Sequence, residues 1–240
     1  MKKNLSFLAI LLIVAFMPAL RGLYAQKSFE GTITWSMSIA AMGDDEKLPW
    51  IFNIKGQKLE MEMDMGAMGG YKSYADMETK KGYFVMAMGG KKTGYLIDAT
   101  DSDFAKPTTL NDVDPVPTGK TETIAGHSAT EYLLKGVKAK GVTMDMSMWF
   151  ASDFPKDVQK ALSDGLTHGS SGQDPKENRA MKQLADRGLV PVRIVASAGG
   201  EVVMTMEFVK YEQKSLDDAL FVPPADVKFS PMPKTLGGTN

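Results

Sequence analysis

Ten methionines of this chain are spaced two residues apart in four short runs, and this spacing constrains the fold more than any other feature. The runs are Met61, Met63 and Met65; Met86 and Met88; Met144, Met146 and Met148; Met204 and Met206. Because successive side chains of a β-strand point to opposite faces, each run places its methionines on one side of a sheet. The intervening residues of three runs are largely polar, as at Glu60, Glu62 and Asp64. The spacing therefore predicts a sheet with one wet face and one soft, thioether-rich face.

Alternation of apolar and polar residues predicts strands along most of the chain. In residues 29–39, apolar side chains occupy one side, and serine, threonine and glutamate occupy the other. The predicted strands cover residues 29–39, 50–54, 58–65, 71–77, 82–88, 94–98, 121–125, 128–135, 142–150, 190–196 and 201–212. We expect a mainly β fold with two helices, in which a curved antiparallel sheet of about eleven strands forms an incomplete β-barrel.

Two segments interrupt the predicted strands. Residues 99–120 are rich in Asp, Thr and Pro, and they are predicted to form a loop because proline is excluded from central strands. Residues from about 152–188 are predicted to form a helical insertion. Ser152 or Asp153 caps its first helix, and Asp174 followed by proline begins its second. We expect these helices to pack on the sheet and to cover one opening of the barrel.

The N-terminal segment, residues 1–25, has the pattern of an export signal. Lys2 and Lys3 precede an apolar stretch, and Ala25 supplies the small residue that signal peptidase requires. The alternative is a membrane anchor, but the apolar stretch is short for a span of ~20 residues. We expect cleavage after Ala25, no integral membrane segment afterwards, and a single β-rich ligand-binding domain at residues 26–240. The expected location is periplasmic or secreted.

Composition excludes several classes of function. The chain has no cysteine, which rules out disulfides, thiol catalysis, thiolate metal sites and a lipid-bearing N-terminal cysteine. It has 28 basic and 29 acidic residues, for a net charge of -1. No basic patch or arginine-rich run is present, so no nucleic acid is expected as a partner.

A short repeat of alanine, methionine and glycine follows three predicted strands. Its copies are residues 41–43, 67–70 and 87–90, and they contain Met42, Met68 and Met88. In an up-and-down meander these three connections lie at one end of the sheet, and the same count places the helices and the turn before His127 there. We expect a rim of glycine and methionine that the helices partly cover. The alternative is three ordinary loops that share flexible residues.

No group of residues predicts catalysis. His127 and His168 are the only histidines, and no Gly-x-Ser-x-Gly elbow accompanies them, so His127 is predicted to be an exposed turn residue. Glu60, Glu62 and Asp64 are predicted to lie on a solvated strand face, because strand alternation explains them better than a glycosidase pair does. We expect a protein that is not an enzyme, with no cofactor.

Four explanations of the methionines stay open: an irregular core, a cavity for an apolar molecule, a site for Cu(I) or Ag(I), and oxidant traps. The candidate ligand-cavity residues are Trp35, Met37, Met61, Met63, Met86, Met146 and Met204. The candidate metal ligands are Met61, Met63, Met65, Met144, Met146 and Met148. The spacing keeps the thioethers of each run on one face and does not by itself make three of them converge on a point.

Short motifs in the chain resemble a known family. Residues 121–132, with the sequence TETIAGHSATEY, resemble the "ET-I-G-…-EY" hairpin of an uncharacterised family of exported bacterial proteins, domain of unknown function 4412. Residues 188–193 and 216–223 are similar to its later motifs, and the hairpin at residues 55–58 also fits. The resemblance implies a fold like that of the LolA and LolB periplasmic lipoprotein carriers, with an apolar cavity that helices cover. It implies no catalytic residues.

The expected function is therefore that of an exported, non-enzymatic binding or carrier protein in the cell envelope. Its expected partner is a hydrophobic small molecule, a lipid or a lipoprotein acyl chain. The first alternative is a methionine-rich protein that binds Cu(I) or Ag(I). The second is an envelope scaffold or protein-interaction module. The sequence does not identify a protein partner.

Overall fold

The computed structural model describes residues 29–42, 46–66, 69–76, 78–79, 81–98, 114–139, 142–169 and 179–231. The predicted signal segment and Met68 lie outside these residues. The strands are β1 (Glu30–Ile39), β2 (Leu48–Lys55), β3 (Lys58–Asp64), β4 (Gly70–Asp76), β5 (Lys81–Met88), β6 (Lys91–Asp98), β7 (Val116–Ile124), β8 (His127–Ala139), β9 (Val142–Ala151), β10 (Val190–Ala198), β11 (Glu201–Gln213) and β12 (Phe229–Pro231). The α-helices are α1 (Lys156–Gly169) and α2 (Arg179–Asp186).

All twelve strands belong to one open sheet, in the order β12-β6-β5-β4-β3-β2-β1-β11-β10-β9-β8-β7. The pairing of β12 with β6 is parallel, and the other pairings are antiparallel. The edge strands β12 and β7 do not pair with each other, so the barrel is incomplete. The predicted mainly β fold with two helices is confirmed, with twelve strands among the described residues in place of about eleven. The additional strand is the short β12.

The pattern of β1 explains why the sheet has one apolar face. Every second residue of this strand is buried, and serine, threonine or glutamate lies between the larger apolar side chains. Trp35 lies opposite Trp50 on β2 and Phe208 on β11, and its ring meets that of Phe208 edge-on at 5.9 Å between centroids. A shift of one residue in the register would turn these side chains to solvent and lose about 25 cal/mol for each Å² of apolar burial.

The two helices lie between β9 and β10 and complete the core at one end of the sheet. Val158 and Leu162, one turn apart on α1, are buried together with Leu184 of α2 in the same apolar cluster as the strands. Gly188, at φ +72°, ends α2, and its amide donates to the carbonyl of Ala185. Among the helices of the described residues, none has the length and apolar character to cross a membrane.

Strand direction places the helices at the end opposite to the one predicted. Strands β1, β3 and β5 run in the same direction, so Met42 and Met88 lie at one end of the sheet, which we call the rim. Strands β7 and β9 run in the opposite direction, so the turn before His127 and the helices lie at the other end, the helix end. The expectation that the helices partly cover the rim was wrong. The prediction treated β7 as the strand next to β6 in an up-and-down meander. In the structure β7 pairs with β8 at the far edge of the sheet and not with β6.

The first edge strand, β7, overlaps the segment that was predicted to be a loop. Residues 116–120 belong to this strand, and the rest of that segment lies almost entirely outside the described residues. All residues of β7 except Ile124 are exposed, and the register with β8 shifts between Pro117 and Thr121. Proline and an irregular register are tolerated at an edge, where one side of the strand needs no partner.

Candidate functional site

The inner face of the sheet carries one continuous apolar cluster, to which β1–β5 and β7–β11 contribute. Six of the seven predicted cavity residues are buried in this cluster, and the seventh, Met86, is half-buried against it. The six are Trp35, Met37, Met61, Met63, Met146 and Met204. The structure thus brings all seven to one face, as the alternation predicts. Their binding of a ligand stays a prediction.

Cross-strand pairing shows how the methionines are mixed with rigid side chains. Met37 lies opposite Met206 of β11, a buried methionine that was not among the predicted cavity residues. Met146 lies opposite Leu134 of β8 and Ala196 of β10. The spacing of Met206 gave a signal for its face, but its pairing with Met37 depends on strand order, which the sequence pattern does not contain.

The predicted metal ligands form two separate rows. Met61 and Met63 lie on β3 with the half-buried Met65 directly after it, and the other row lies on β9, several strands away in the sheet. Alternate residues of one strand are about 6.6 Å apart along the strand. Within the described residues, no cluster of three or more His, Cys, Asp or Glu could hold a metal ion. Binding of Cu(I) or Ag(I) stays a prediction.

Tyr71, which sequence reasoning missed, is a polar residue inside the apolar face. It lies on β4 between Met63 of β3 and Met86 of β5, and its ring is tilted against that of Phe84 at 5.5 Å between centroids. The side chain is buried, and its hydroxyl has no hydrogen-bond partner among the described residues. Burial raises the pKa of Tyr71 above its ordinary value, so the hydroxyl stays protonated. The alternation within β4 places Tyr71 on the inner face only once the register of β4 with β3 is known.

The outer face of the same strands carries a network of polar side chains. The amide of Asn53 donates to Glu60 at 2.7 Å and accepts from the Thr32 hydroxyl at 2.7 Å, and Lys72 lies 3.8 Å from Glu60. Glu60 is only 3% exposed, so its predicted place on a solvated face was wrong. The flanking strands β2 and β4 cover it. Burial raises the pKa of Glu60, and the Asn53 and Lys72 contacts oppose this effect.

A second outer network joins the strands on the other side of β1. Arg193 of β10 donates to Glu207 of β11 at 2.6 Å and to Glu122 of β7 at 2.7 Å, and its guanidinium lies 5.7 Å from the ring centroid of Trp149. The hydrogen bond from Arg193 lowers the pKa of Glu122. Charge-assisted bonds of this kind have a defined direction, so they favour one register of the strands.

His127 contributes to an aromatic cluster at the helix end. Its ring stacks on Phe154 at 3.8 Å between centroids, and Nδ1 lies 2.9 Å from Oδ1 of Asp153. The ring also meets Phe208 of β11 edge-on at 5.8 Å. His127 is therefore half-buried and not the exposed turn residue that was predicted. These contacts attach the segment before α1 to the β7–β8 turn. The side chain of His168 lies outside the described residues.

A groove of about 370 Å³ opens on the outer face along β3–β5, beside Pro224. Two lysines line it, and both are paired: Lys72 with Glu62 at 2.8 Å and Lys92 with Asp226 at 2.9 Å. The groove therefore has polar walls whose charges are balanced within the protein. Most of its lining residues belong to the outer face, but Met63, one of the predicted cavity residues, and Tyr71 are also among them.

Comparisons with known proteins give a family and a fold. The family described as "Domain of unknown function (DUF4412)" matches residues 29–227, and no curated protein matches the sequence. An uncharacterized conserved protein from Thermus thermophilus is 13% identical with a TM-score of 0.50, over 95% of this chain and 99% of that one. This likeness supports the shared fold.

Two further solved structures are similar at lower TM-scores. A LolA superfamily protein, NE2245 from Nitrosomonas europaea, is 11% identical with a TM-score of 0.30, over 90% of this chain and 97% of that one. PNGF-II is 11% identical with a TM-score of 0.40, over 83% of this chain and only 30% of its own chain. At these TM-scores the two likenesses carry no argument about function.

Proposed function

We propose that this chain, which belongs to the DUF4412 family of unknown function, binds a hydrophobic molecule within the open sheet and carries it in the cell envelope. The observation that supports this proposal is the inner apolar face. Buried methionines from β1, β3, β9 and β11 lie on that face, and thioether side chains are flexible enough to repack around a guest.

The binding energy would come from burial of the guest's apolar surface. Each Å² removed from water contributes about 25 cal/mol before the cost of ordering the guest is subtracted. The inner face offers apolar partners from ten strands, and it needs no directional bond to hold a hydrocarbon chain. Such a face favours a carrier that accepts one class of apolar molecule over an enzyme that recognises one substrate.

The rim is the proposed route into the interior. The two helices pack at the helix end, where Val158 and Leu162 are buried, so the opposite end of the sheet is free of them. Met86 is half-buried near the rim, and Met88, two residues along the same face of β5, is 49% exposed. This series from buried to exposed methionines gives an apolar guest a continuous path inward.

Location in the envelope rests on the export pattern of residues 1–25. We expect processing after Ala25, so that the protein recovered from the periplasmic fraction or the medium begins at Gln26. Intact-mass measurement of the protein from each fraction tests this directly. Unprocessed chain confined to the cytoplasm would contradict the location and leave binding to be tested separately.

Uptake of the uncharged fluorescent probe N-phenyl-1-naphthylamine tests binding. We expect saturable binding by the wild-type protein and affinity at least tenfold lower for Met86→Asp, because a carboxylate at the mouth of the interior must be desolvated or must block the guest. The control is Val209→Asp on β11, at an apolar side chain that is 45% exposed and lies away from the rim, and we expect it to bind within about twofold of wild type. Circular dichroism checks that both variants fold. Absence of saturable probe binding by folded wild-type protein would overturn the proposal.

Native mass spectrometry of protein purified gently from the periplasm under reducing conditions separates the alternatives. A bound mass of several hundred daltons that organic extraction removes would support the carrier and identify its cargo. A copper-sized adduct, with saturation by Ag(I) at a defined stoichiometry, would instead favour the methionine-metal function. A clean apo mass together with no probe binding would favour the scaffold.

A further inference from the structure

The hydroxyl of Tyr71 is the polar group whose role the apolar interior does not explain. Its side chain is 4% exposed on the inner face, and the oxygen has no hydrogen-bond partner among the described residues. Met63 and Met86 flank it on the neighbouring strands, and Phe84 packs against its ring. A phenylalanine would fill the same space without removing a hydroxyl from water, so packing accounts for the ring and not for the oxygen.

We propose that the Tyr71 hydroxyl donates a hydrogen bond to an acceptor oxygen on the bound molecule. The inference rests on the proposed function and gives its ligand a chemical class. The hydroxyl lies close to the rim, because Tyr71 directly follows the first residue of β4, Gly70. The hydroxyl is enclosed, so an incoming molecule must displace the flexible side chains of Met63 and Met86 before it reaches the oxygen.

The charges of the interior narrow the acceptor to a neutral oxygen. Besides tyrosine and tryptophan, the buried polar or charged side chains of the described residues are Glu60, Ser73 and Glu131, so no buried lysine, arginine or histidine is among them. A carboxylate beside Tyr71 would enter an apolar site without a counter-charge, which is unfavourable. An ester or amide carbonyl requires only the one donor that Tyr71 supplies. The ligand class is therefore a neutral acyl ester or amide, and not a free fatty acid.

The experiment compares three probes of similar chain length: methyl laurate, pentadecane and laurate. Each is delivered from β-cyclodextrin at pH 7, and bound probe is quantified by gas chromatography after extraction of the protein, with laurate converted to its ester before injection. We expect wild-type protein to bind methyl laurate about fivefold more tightly than pentadecane, since one neutral hydrogen bond separates the two probes. Laurate should bind at least about tenfold more weakly than its ester.

The decisive variant is Tyr71→Phe, which removes the hydroxyl alone. We expect it to lose the preference and to bind methyl laurate no more tightly than pentadecane, because the ester carbonyl would be buried without a donor, with pentadecane affinity unchanged from wild type. The matched control is Tyr83→Phe on β5, whose ring packs on Phe229 at 5.1 Å in the outer cluster, and it should keep the preference for the ester. Because Tyr71→Phe removes an unpaired buried group, its melting temperature should equal or exceed that of wild type.

The outcomes separate this inference from the function on which it rests. If wild-type protein binds both apolar probes but Tyr71→Phe keeps the preference for the ester, the Tyr71 inference fails and the carrier proposal stands. If laurate binds wild-type protein as tightly as its ester does, the neutral-acceptor class is overturned. If neither pentadecane nor methyl laurate binds wild-type protein, both proposals fail.

Discussion

Glu60 and Tyr71 are buried on opposite faces of adjacent strands, and their surroundings differ. Glu60, on the outer face, accepts a hydrogen bond from Asn53 and lies 3.8 Å from Lys72. Tyr71, on the inner face, has apolar neighbours and no hydrogen-bond partner in the described chain. An unpaired buried hydroxyl costs about 1–3 kcal/mol. The outer face thus satisfies a buried polar group within the protein, whereas the inner face leaves the Tyr71 hydroxyl without a partner in the described chain.

The same contrast extends across the sheet. On the outer face, directional bonds join different strands, as Arg193 of β10 bonds to its neighbour β11 and to the edge strand β7. On the inner face, contacts between methionine and aromatic side chains have little directional preference. A sheet built in this way can hold its strand register from outside while its interior repacks. We therefore expect substitutions on the two faces to differ in what they damage, and three tests follow.

The largest effect is expected from a charge within the inner face. Met63 is 1% exposed, so Met63→Asp must bury a carboxylate in an apolar cluster and should lower the free energy of unfolding by about 3 kcal/mol or more. Met88→Asp, at an exposed methionine, should change it by less than about 0.5 kcal/mol. Urea denaturation measures both. Similar losses in the two variants would contradict the assignment of Met63 to the interior.

An intermediate effect is expected from the outer network around Arg193. Arg193→Ala removes two charge-assisted bonds and the contact with Trp149, and we expect a loss of about 1–3 kcal/mol in the free energy of unfolding. The control is Lys92→Ala, which removes the exposed pair with Asp226 and should cost less than about 1 kcal/mol. Chemical denaturation at low salt and at about 0.5 M salt measures the difference. A loss for Arg193→Ala no greater than that for Lys92→Ala would show that the outer network does not fix the strands.

The smallest effect is expected at Glu60 and appears as a dependence on pH. Burial raises its pKa above the ordinary value of 4.5, so the folded protein binds a proton more tightly than the unfolded chain does. The resulting stabilisation is fully present below pH 4.5 and is lost as the pH rises through the folded-state pKa. Glu60→Gln keeps an acceptor for Asn53 and removes the titration.

Denaturation midpoints of wild-type protein and Glu60→Gln, measured from about pH 4 to pH 8, check this sign. We expect the stability of the variant relative to wild type to rise with pH over this range. A constant difference would mean that Glu60 ionises as freely in the folded protein as in the unfolded chain. It would contradict the conclusion that burial on the outer face raises the pKa of Glu60.

Local patterns predicted much of the fold. Alternation in β1 and in the methionine runs of β3 and β9 predicted both the strands and their buried face, because a strand's period of two follows from backbone geometry alone. The pattern missed the short strand β12, because its pairing with β6 joins segments that are far apart in sequence. It also placed Glu60 in solvent, because the cover that Asn53 and Tyr74 provide comes from neighbouring strands.

The candidate site shows the same division between what local patterns predict and what strand pairing decides. The sequence by itself determined that the methionines of each run share one face of their own strand, as Trp35 and Met37 do on β1, since side-chain direction along a strand is a local property. Only the tertiary structure decided that Tyr71 lies between Met63 and Met86, that Met37 faces Met206, and that the helices lie away from the rim. These relations depend on which strands pair, and β7 joins the far edge of the sheet. Strand pairing is settled by the free energy of contacts between distant segments, which no local pattern contains.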